Sequence, residues 1–226
     1  MRILHVIDSM NRGGAEVMLT AMAPQFRTRG VTCDVLALLK RPSPLEHSLL
    51  DQGVYLRYTG VRGLYSPRQI LVLARLLRGY DLVHVHLFPA QLWTVLAAAL
   101  LRCRIPLVTT EHNTWNARRR WWWQPLDLWM YSRYRRIACN SEATAEHLAR
   151  WCPGVAKKNH GYSQRDSAQR IRKCPASHTR ASPARSVAID FCGAVRGPER
   201  PRDAPASSNS CAGCSPHLGR RWPVAS

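Results

Sequence analysis

Several groups of residues have types and spacings that suit chemistry. Gly13 and Gly14 follow a short apolar run, with Arg12 before them and Glu16 just after. A turn free of side chains at the end of a strand lets backbone N–H groups and the next helix N-terminus approach a phosphate. A tight turn with no ligand uses glycine equally well. Glu16 suits either the orientation of a ligand's hydroxyls or the positive end of a helix.

His112 lies just past an apolar segment, where a lone histidine more often serves structure than catalysis. His84 and His86 are two residues apart, which puts them on one face of a strand. A metal pair there needs further ligands, and no Cys, Asp or Glu has suitable spacing, so packing is the expected role and no metal site is assigned. Cys211 and Cys214 have redox or zinc spacing, but no second pair and no strand–helix context accompany them.

The run Arg118, Arg119, Arg120, Trp121, Trp122, Trp123 sets three guanidiniums beside three indoles. Arginine meets lipid phosphate and tryptophan sits at the polar–apolar boundary, so a contact with an anionic membrane suits this run. Stacking on single-stranded nucleic acid suits it too. The third reading is a loop whose tryptophans pack under the sheet or against another domain.

These residues need elements to hold them. Ile3 to Ile7 reads as a strand, and the apolar positions Val17, Leu19, Met22, Ala23 and Phe26 read as an amphipathic helix that stops at Gly30. Val31 to Leu39, Val54 to Tyr58, Asp81 to His86, Pro106 to Thr110 and Arg136 to Cys139 read as further strands. Helices are expected from Pro67 through Leu77, over Gln91 to Arg102, and from Ser141, a credible N-cap, to Trp151. This alternation predicts an α/β domain, a Rossmann-like doubly wound parallel sheet, over residues 1–155.

Lys and Arg number 33 against 14 Asp and Glu, a net charge of +19. Such a charge favours polyanions, phosphosugars and anionic lipid surfaces without choosing among them. Of eight cysteines, Cys33, Cys103, Cys139 and Cys152 sit in or beside apolar runs and read as small buried hydrophobes of a reduced protein. The apolar run at the N-terminus is interrupted by His5 and closed by Asp8, too short for a secretory signal. Gln91 to Leu101 is too short for a bilayer span. A cytoplasmic protein, peripheral at most to the inner face of the membrane, is the expectation.

Residues 156–226 form a basic segment rich in Ser, Pro, Ala and Arg with neither helical nor strand period, and a disordered C-terminal tail is expected. Read one nucleotide later, the codons for Asn159 through Asp166 permit I-T-V-I-H-N-G-I. Lys157-Lys158-Asn159 implies an adenine-rich stretch where a one-base slip is easy. A frameshift after about residue 158 is therefore expected.

Met1-Arg-Ile-Leu-His-Val-Ile-Asp8, Arg12-Gly-Gly-Ala-Glu16, Asp81-Leu-Val-His-Val-His86, Val108-Thr-Thr-Glu-His-Asn113 and Ile137-Ala-Cys-Asn-Ser141, in that order, resemble the N-terminal domain of family-4 retaining glycosyltransferases. The family's next segment resembles what the shifted codons permit. The resemblance implies the acceptor-side half of a GT-B fold, in which two Rossmann-like halves face a cleft. It implies Arg12, Gly13, Gly14, Glu16 and Asn113 near donor phosphate and acceptor, and His112 as the group beside the transferred sugar. It also implies a nucleotide-diphospho-sugar as co-substrate, no cofactor, and a sugar or lipid-linked acceptor.

The family's donor half carries a basic pair and a Glu-x7-Glu motif, and no Glu-x7-Glu follows Val155 here. The polypeptide alone is therefore expected to be inactive. Two other classes stay open. One is a non-catalytic acceptor- or phosphate-binding half that pairs with a separately encoded donor domain. The other is a basic nucleic-acid-binding protein, for which no nucleic-acid motif speaks, so no nucleic acid is expected as a partner.

Overall fold

The computed structural model describes residues 1–102, 105–116 and 118–161. The expected tail from residue 162 onward, the Cys211 and Cys214 pair, and most of the codon-shifted segment lie outside the described residues, as does Cys103.

Seven strands alternate with helices. β1 (Arg2–Ser9), β2 (Thr32–Leu39) and β3 (Tyr55–Tyr58) are separated by α1 (Gly14–Arg27) and α2 (Pro44–Asp51). Then α3 (Arg68–Leu77), β4 (Leu82–His86), α4 (Ala90–Leu100) and β5 (Leu107–Glu111) follow. α5 (Gln124–Ser132), β6 (Arg136–Cys139), α6 (Glu142–Trp151) and β7 (Asn159–Gly161) close the described chain. The sheet order is β3-β2-β1-β4-β5-β6-β7, with every pairing parallel.

Period two explains the two cores. Leu4, Val6, Val83 and Val85 point to one face, where they pack with Leu73, Leu77, Val95, Tyr131 and Leu148 of α3 to α6. Ile3, Ile7, Leu82 and Val108 point to the other, against Leu19, Phe26 and Leu49 of α1 and α2. Burial on both faces is why these strands read as continuous apolar runs. The expected doubly wound parallel sheet is the one observed.

Three features depart from the sequence reading. α2 is not among the expected helices, although Ser43 caps it by accepting from Leu45 N–H and Pro44 opens it. α5 and the 3₁₀ turn Trp121–Trp123 replace the expected loop, because Pro125 sits in the first helical turn, where its missing N–H costs nothing. β7 pairs with β6 in parallel at Ile137 to Cys139, so the ordered sheet runs past the boundary expected at residue 155. Ser141 caps α6 as expected, its hydroxyl accepting from Thr144 N–H at 3.1 Å. Cys33, Cys139 and Cys152 are free and buried. Among the described residues, no helix is long and apolar enough to cross a membrane.

Candidate functional site

The strand order reverses between β1 and β4, since the chain winds outward from β1 to β3 and then returns to β4 on the other side. Loops leave such a switch point in opposite directions and open a crevice at the carboxyl ends of the strands. A cleft of about 910 Å³ lies there. Its walls include Asp8 from the end of β1, Leu87 to Pro89 after β4, and Glu111, His112 and Asn113 at the end of β5. Leu87 holds a left-handed backbone, φ 66°, at the cleft wall. A branched side chain there is strained, a feature that clusters at functional sites.

His112 is half-buried in this wall. Its Nε2 faces His86 Nδ1 at 3.1 Å, and its backbone carbonyl accepts from Asn140 Nδ2 at 2.9 Å. The carbonyl thus has one of its two lone pairs engaged, and the imidazole stands in the cleft wall beside it. Burial lowers its pKa to about 4, so the ring is neutral at neutral pH. Asn113 is exposed beside it in the same wall.

His86 is wholly buried, and its other nitrogen, Nε2, faces His5 Nδ1 at 3.2 Å. His84 pairs its Nε2 with Thr110 Oγ1 at 2.8 Å. Sequence spacing offers His84 and His86 no Cys, Asp or Glu partner, and the structure adds a histidine instead: β1 lies next to β4 and brings His5 into register with His84. One nitrogen from each of His5, His84 and His86 lies within 4.8 Å of the others. The group contains no carboxylate, and all three rings are buried, so a dication there would lack neutralising charge. The short His5 to His86 contact already acts as a hydrogen bond.

Asp8, which the sequence reading treats only as a strand end, is a wall of the cleft. Its Oδ1 accepts from Ala90 N–H, the first residue of α4, at 2.9 Å. Burial raises its pKa to about 7, the Ala90 N–H opposes this, Glu16 raises it further and Arg118 lowers it. The signal available in sequence is an acid closing an otherwise apolar strand. Glu111 escapes the sequence reading because strand β5 looks like a plain buried run. It is buried, and it accepts from Tyr131 Oη at 2.6 Å and from Gln91 Nε2 at 3.3 Å.

Arg12, Gly13, Gly14 and Glu16 sit at the start of α1 and do not line the cleft. Arg12 and Gly14 are exposed, whereas Glu16 is buried and burial raises its pKa. Gly13 is the N-cap, and a Cβ there would come within 2.4 Å of Glu16 Oε2. Its lack of a side chain is what allows the carboxylate to fold back over the helix start.

The arginine and tryptophan run, for which the sequence leaves membrane contact, stacking and packing all open, divides into two parts. Arg118 turns inward: it lies 3.4 Å from Asp127 Oδ1 and its guanidinium carbon sits 3.6 Å from the centre of the Phe88 ring. Arg119 also turns inward, 3.9 Å from Glu111 Oε1, and donates to Thr114 O at 3.1 Å. The reason is charge: Asp127 and Glu111 are buried carboxylates that need compensation. Trp123 lines the cleft. Arg120, Trp121 at 79% exposure and Trp122 at 51% remain on the surface, with Arg120 over the Trp122 ring.

Residues 12–159 match the family model of Glycosyltransferase Family 4. No curated protein matches the sequence. Among solved structures, HepE of Anabaena in complex with UDP and glucose is similar at a TM-score of 0.58 and 19% identity, over 72% of this chain and 44% of that one. A glycosyltransferase from Rickettsia africae is similar at 0.56 and 18%, over 72% and 42%. A UDP-GlcNAc 2-epimerase from Neisseria meningitidis, bound to UDP-GlcNAc, is similar at 0.53 and 16%, over 76% and 51%. At these identities the likeness establishes the fold alone, which a transferase and an epimerase share. This chain spans less than half the length of the first two.

Proposed function

Because the chain belongs to Glycosyltransferase Family 4 by its match over residues 12–159, we propose that it is the acceptor-side half of a retaining hexosyltransferase. Its cleft binds a saccharide or the sugar of a lipid-linked acceptor. The observation that supports this reading is the convergence of the His112 ring, the Asn113 amide and the Asp8 carboxylate on one cleft at the sheet's switch point. Pockets for small polar ligands combine apolar walls with a few such placed polar groups. Arg12, Gly13, Gly14 and Glu16 lie outside that lining, at the end of β1. They are suited to meeting a donor diphosphate held from the facing side.

The nucleotide-diphospho-sugar enters this reading as a co-substrate. Its diphosphate needs cationic groups to stabilise the leaving charge, and such electrostatic stabilisation usually contributes most to the rate of group transfer. No Glu-x7-Glu follows Val155 in these 226 residues. In this reading those cationic groups come from a facing donor-binding half.

Saturation-transfer NMR with methyl α-glucoside and N-acetylglucosamine tests the cleft. Binding to the unmodified chain, lost at least about tenfold in His112→Ala, a change of about 1.4 kcal/mol or more, is the expected result. Binding that is equal in both proteins, or absent from both, would overturn the reading. The same preparation, sedimented with phosphatidylglycerol vesicles, reads the exposed Arg120, Trp121 and Trp122. Retention that is weakened by salt and by Trp121→Ala supports a peripheral membrane contact, and equal pelleting without vesicles counts against it.

The periodicity that ends near Lys158 is read as a one-base slip in the adenine-rich codons of Lys157 to Asn159. Resequencing the coding DNA there should reveal an open shifted frame that spells V-G-R and later Glu-x7-Glu. Early stop codons in that frame would sink this account.

A further inference from the structure

His5, His86 and His112 form a row of imidazoles running from the core to the cleft. His5 Nδ1 faces His86 Nε2 at 3.2 Å, and His86 Nδ1 faces His112 Nε2 at 3.1 Å. The three rings come from β1, β4 and the end of β5, neighbours in the sheet. Period two puts all three on the face that carries Ile3, Ile7, Leu82 and Val108.

Each ring in the row is neutral. Burial lowers His5 to about 3 and His112 to about 4, and it holds His86 well below the ordinary value. A neutral imidazole has one N–H and one lone pair. His86 uses both nitrogens, so it must donate on one side and accept on the other. The row therefore has only two arrangements, and the tautomer of His112 is tied to that of His5.

The inner end chooses between them. His5 Nε2 is buried and has no hydrogen-bond partner among the described residues. If the protons point inward, that nitrogen carries an orphaned N–H in the core, and unpaired buried donors are rarer than unpaired acceptors. If they point outward, it keeps only a lone pair, and the free N–H emerges at His112, where water or a ligand can accept it.

We propose that His86, backed by His5, is a positioning residue that holds His112 in the tautomer protonated on Nδ1. The cleft then meets an N–H donor and not a lone pair. This deepens the reading of His112 as the ring that touches the ligand, and it rests on that reading. The ligand atom opposite His112 is an oxygen with a free lone pair, on a sugar hydroxyl or a phosphate. His112 cannot abstract a proton from the ligand through Nδ1 in this state, so its part in transfer is to stabilise charge and orient.

The experiment is histidine ¹⁵N NMR on the full chain with no ligand present, with His112 assigned by the signal lost in His112→Gln. Protonation at Nδ1 and a bare Nε2 is the expected pattern for His112. In His86→Leu the pattern should shift toward protonation at Nε2, because the donor behind His112 is gone, whereas in His5→Leu the buried His86 Nε2 becomes the orphaned nitrogen and Nδ1 protonation of His112 should remain. A His112 protonated on Nε2 in the unmodified chain overturns the proposal, and this measurement needs neither the His5 nor the His86 variant to fold. Nδ1 protonation that persists unchanged in folded His86→Leu overturns it as well. The saccharide experiment above fails or succeeds independently. An Nδ1-protonated His112 whose removal leaves saccharide binding unchanged would sink the functional reading and leave the row intact.

Discussion

Acidification from about pH 7.5 to about pH 4 is expected to unfold this chain cooperatively, through its histidines. Burial holds His5 near 3 and His112 near 4, and it keeps His84 and His86 well below 6.5, with neighbouring rings adding to the effect at the last two. In the unfolded chain each of these has the ordinary value. Between that value and the folded one, the unfolded state binds more protons, so stability rises with pH. It is complete above about 6.5 and is lost as pH falls toward the folded values.

The magnitude is large. Each such histidine costs about 1.4 kcal/mol per pH unit once the unfolded form is protonated. Four acting together reach on the order of 5 kcal/mol per unit, against a total domain stability of about 5–15 kcal/mol. Asp8 opposes them, since its folded value is raised to about 7. The folded state binds its proton more readily, so Asp8 adds stability as pH falls from about 7 through the ordinary carboxylate range near 4. Glu16 and Asp127 are raised too and act in the same direction. These carboxyls offset part of the histidine effect, and the four clustered imidazoles dominate it. Circular dichroism against pH checks this, and an unchanged melting temperature at about pH 4 would mean that the cluster tolerates charge.

Glu111→Ala is expected to cost about 3–5 kcal/mol, the usual penalty for removing one partner of a buried ion pair. Three groups depend on this carboxylate. Tyr131 Oη donates at 2.6 Å, Gln91 Nε2 at 3.3 Å, and Arg119 lies at 3.9 Å. Tyr131 and Gln91 are buried, so water does not replace the lost acceptor without a void to hold it. Glu111→Gln keeps an acceptor and removes the charge, and it should cost less, about 1–3 kcal/mol. Arg120→Ala, next to Arg119 in sequence but exposed, should fall within about 0.5 kcal/mol of the unmodified chain. Urea midpoints of the three variants give the ranking, and a Glu111→Ala midpoint equal to that of Arg120→Ala would refute this account.

Much of the fold is legible without coordinates. β1, β2, β4 and β6 form within a residue or two of where the sequence places them, because each is a short apolar run bounded by polar or turn residues. Ser141 announces α6 because capping chemistry is local, one hydroxyl and an amide three residues on. α5 is hidden because its sequence follows three tryptophans and carries Pro125, so its apolar period begins only after a turn that looks like a break. His112 and Asn113 fall at the carboxyl end of a parallel strand, where such folds put their ligands, and both line the cleft. Arg12, Gly13, Gly14 and Glu16 also follow a strand end, but none of them is among the residues that line the cleft.

What the sequence by itself determined is everything set by neighbours along the chain: the alternating elements, the glycine turn, the helix caps and the family motifs. What only the tertiary structure decided is which side chains meet across the sheet. His5 reaches His86 over a separation of 81 residues, and Ala90 reaches Asp8 over 82. Arg118 and Arg119 turn inward because buried carboxylates from α5 and β5 wait there. The physical reason is that periodicity tells each strand which face to bury, whereas strand order, with β1 lying against β4, sets which buried groups must satisfy one another.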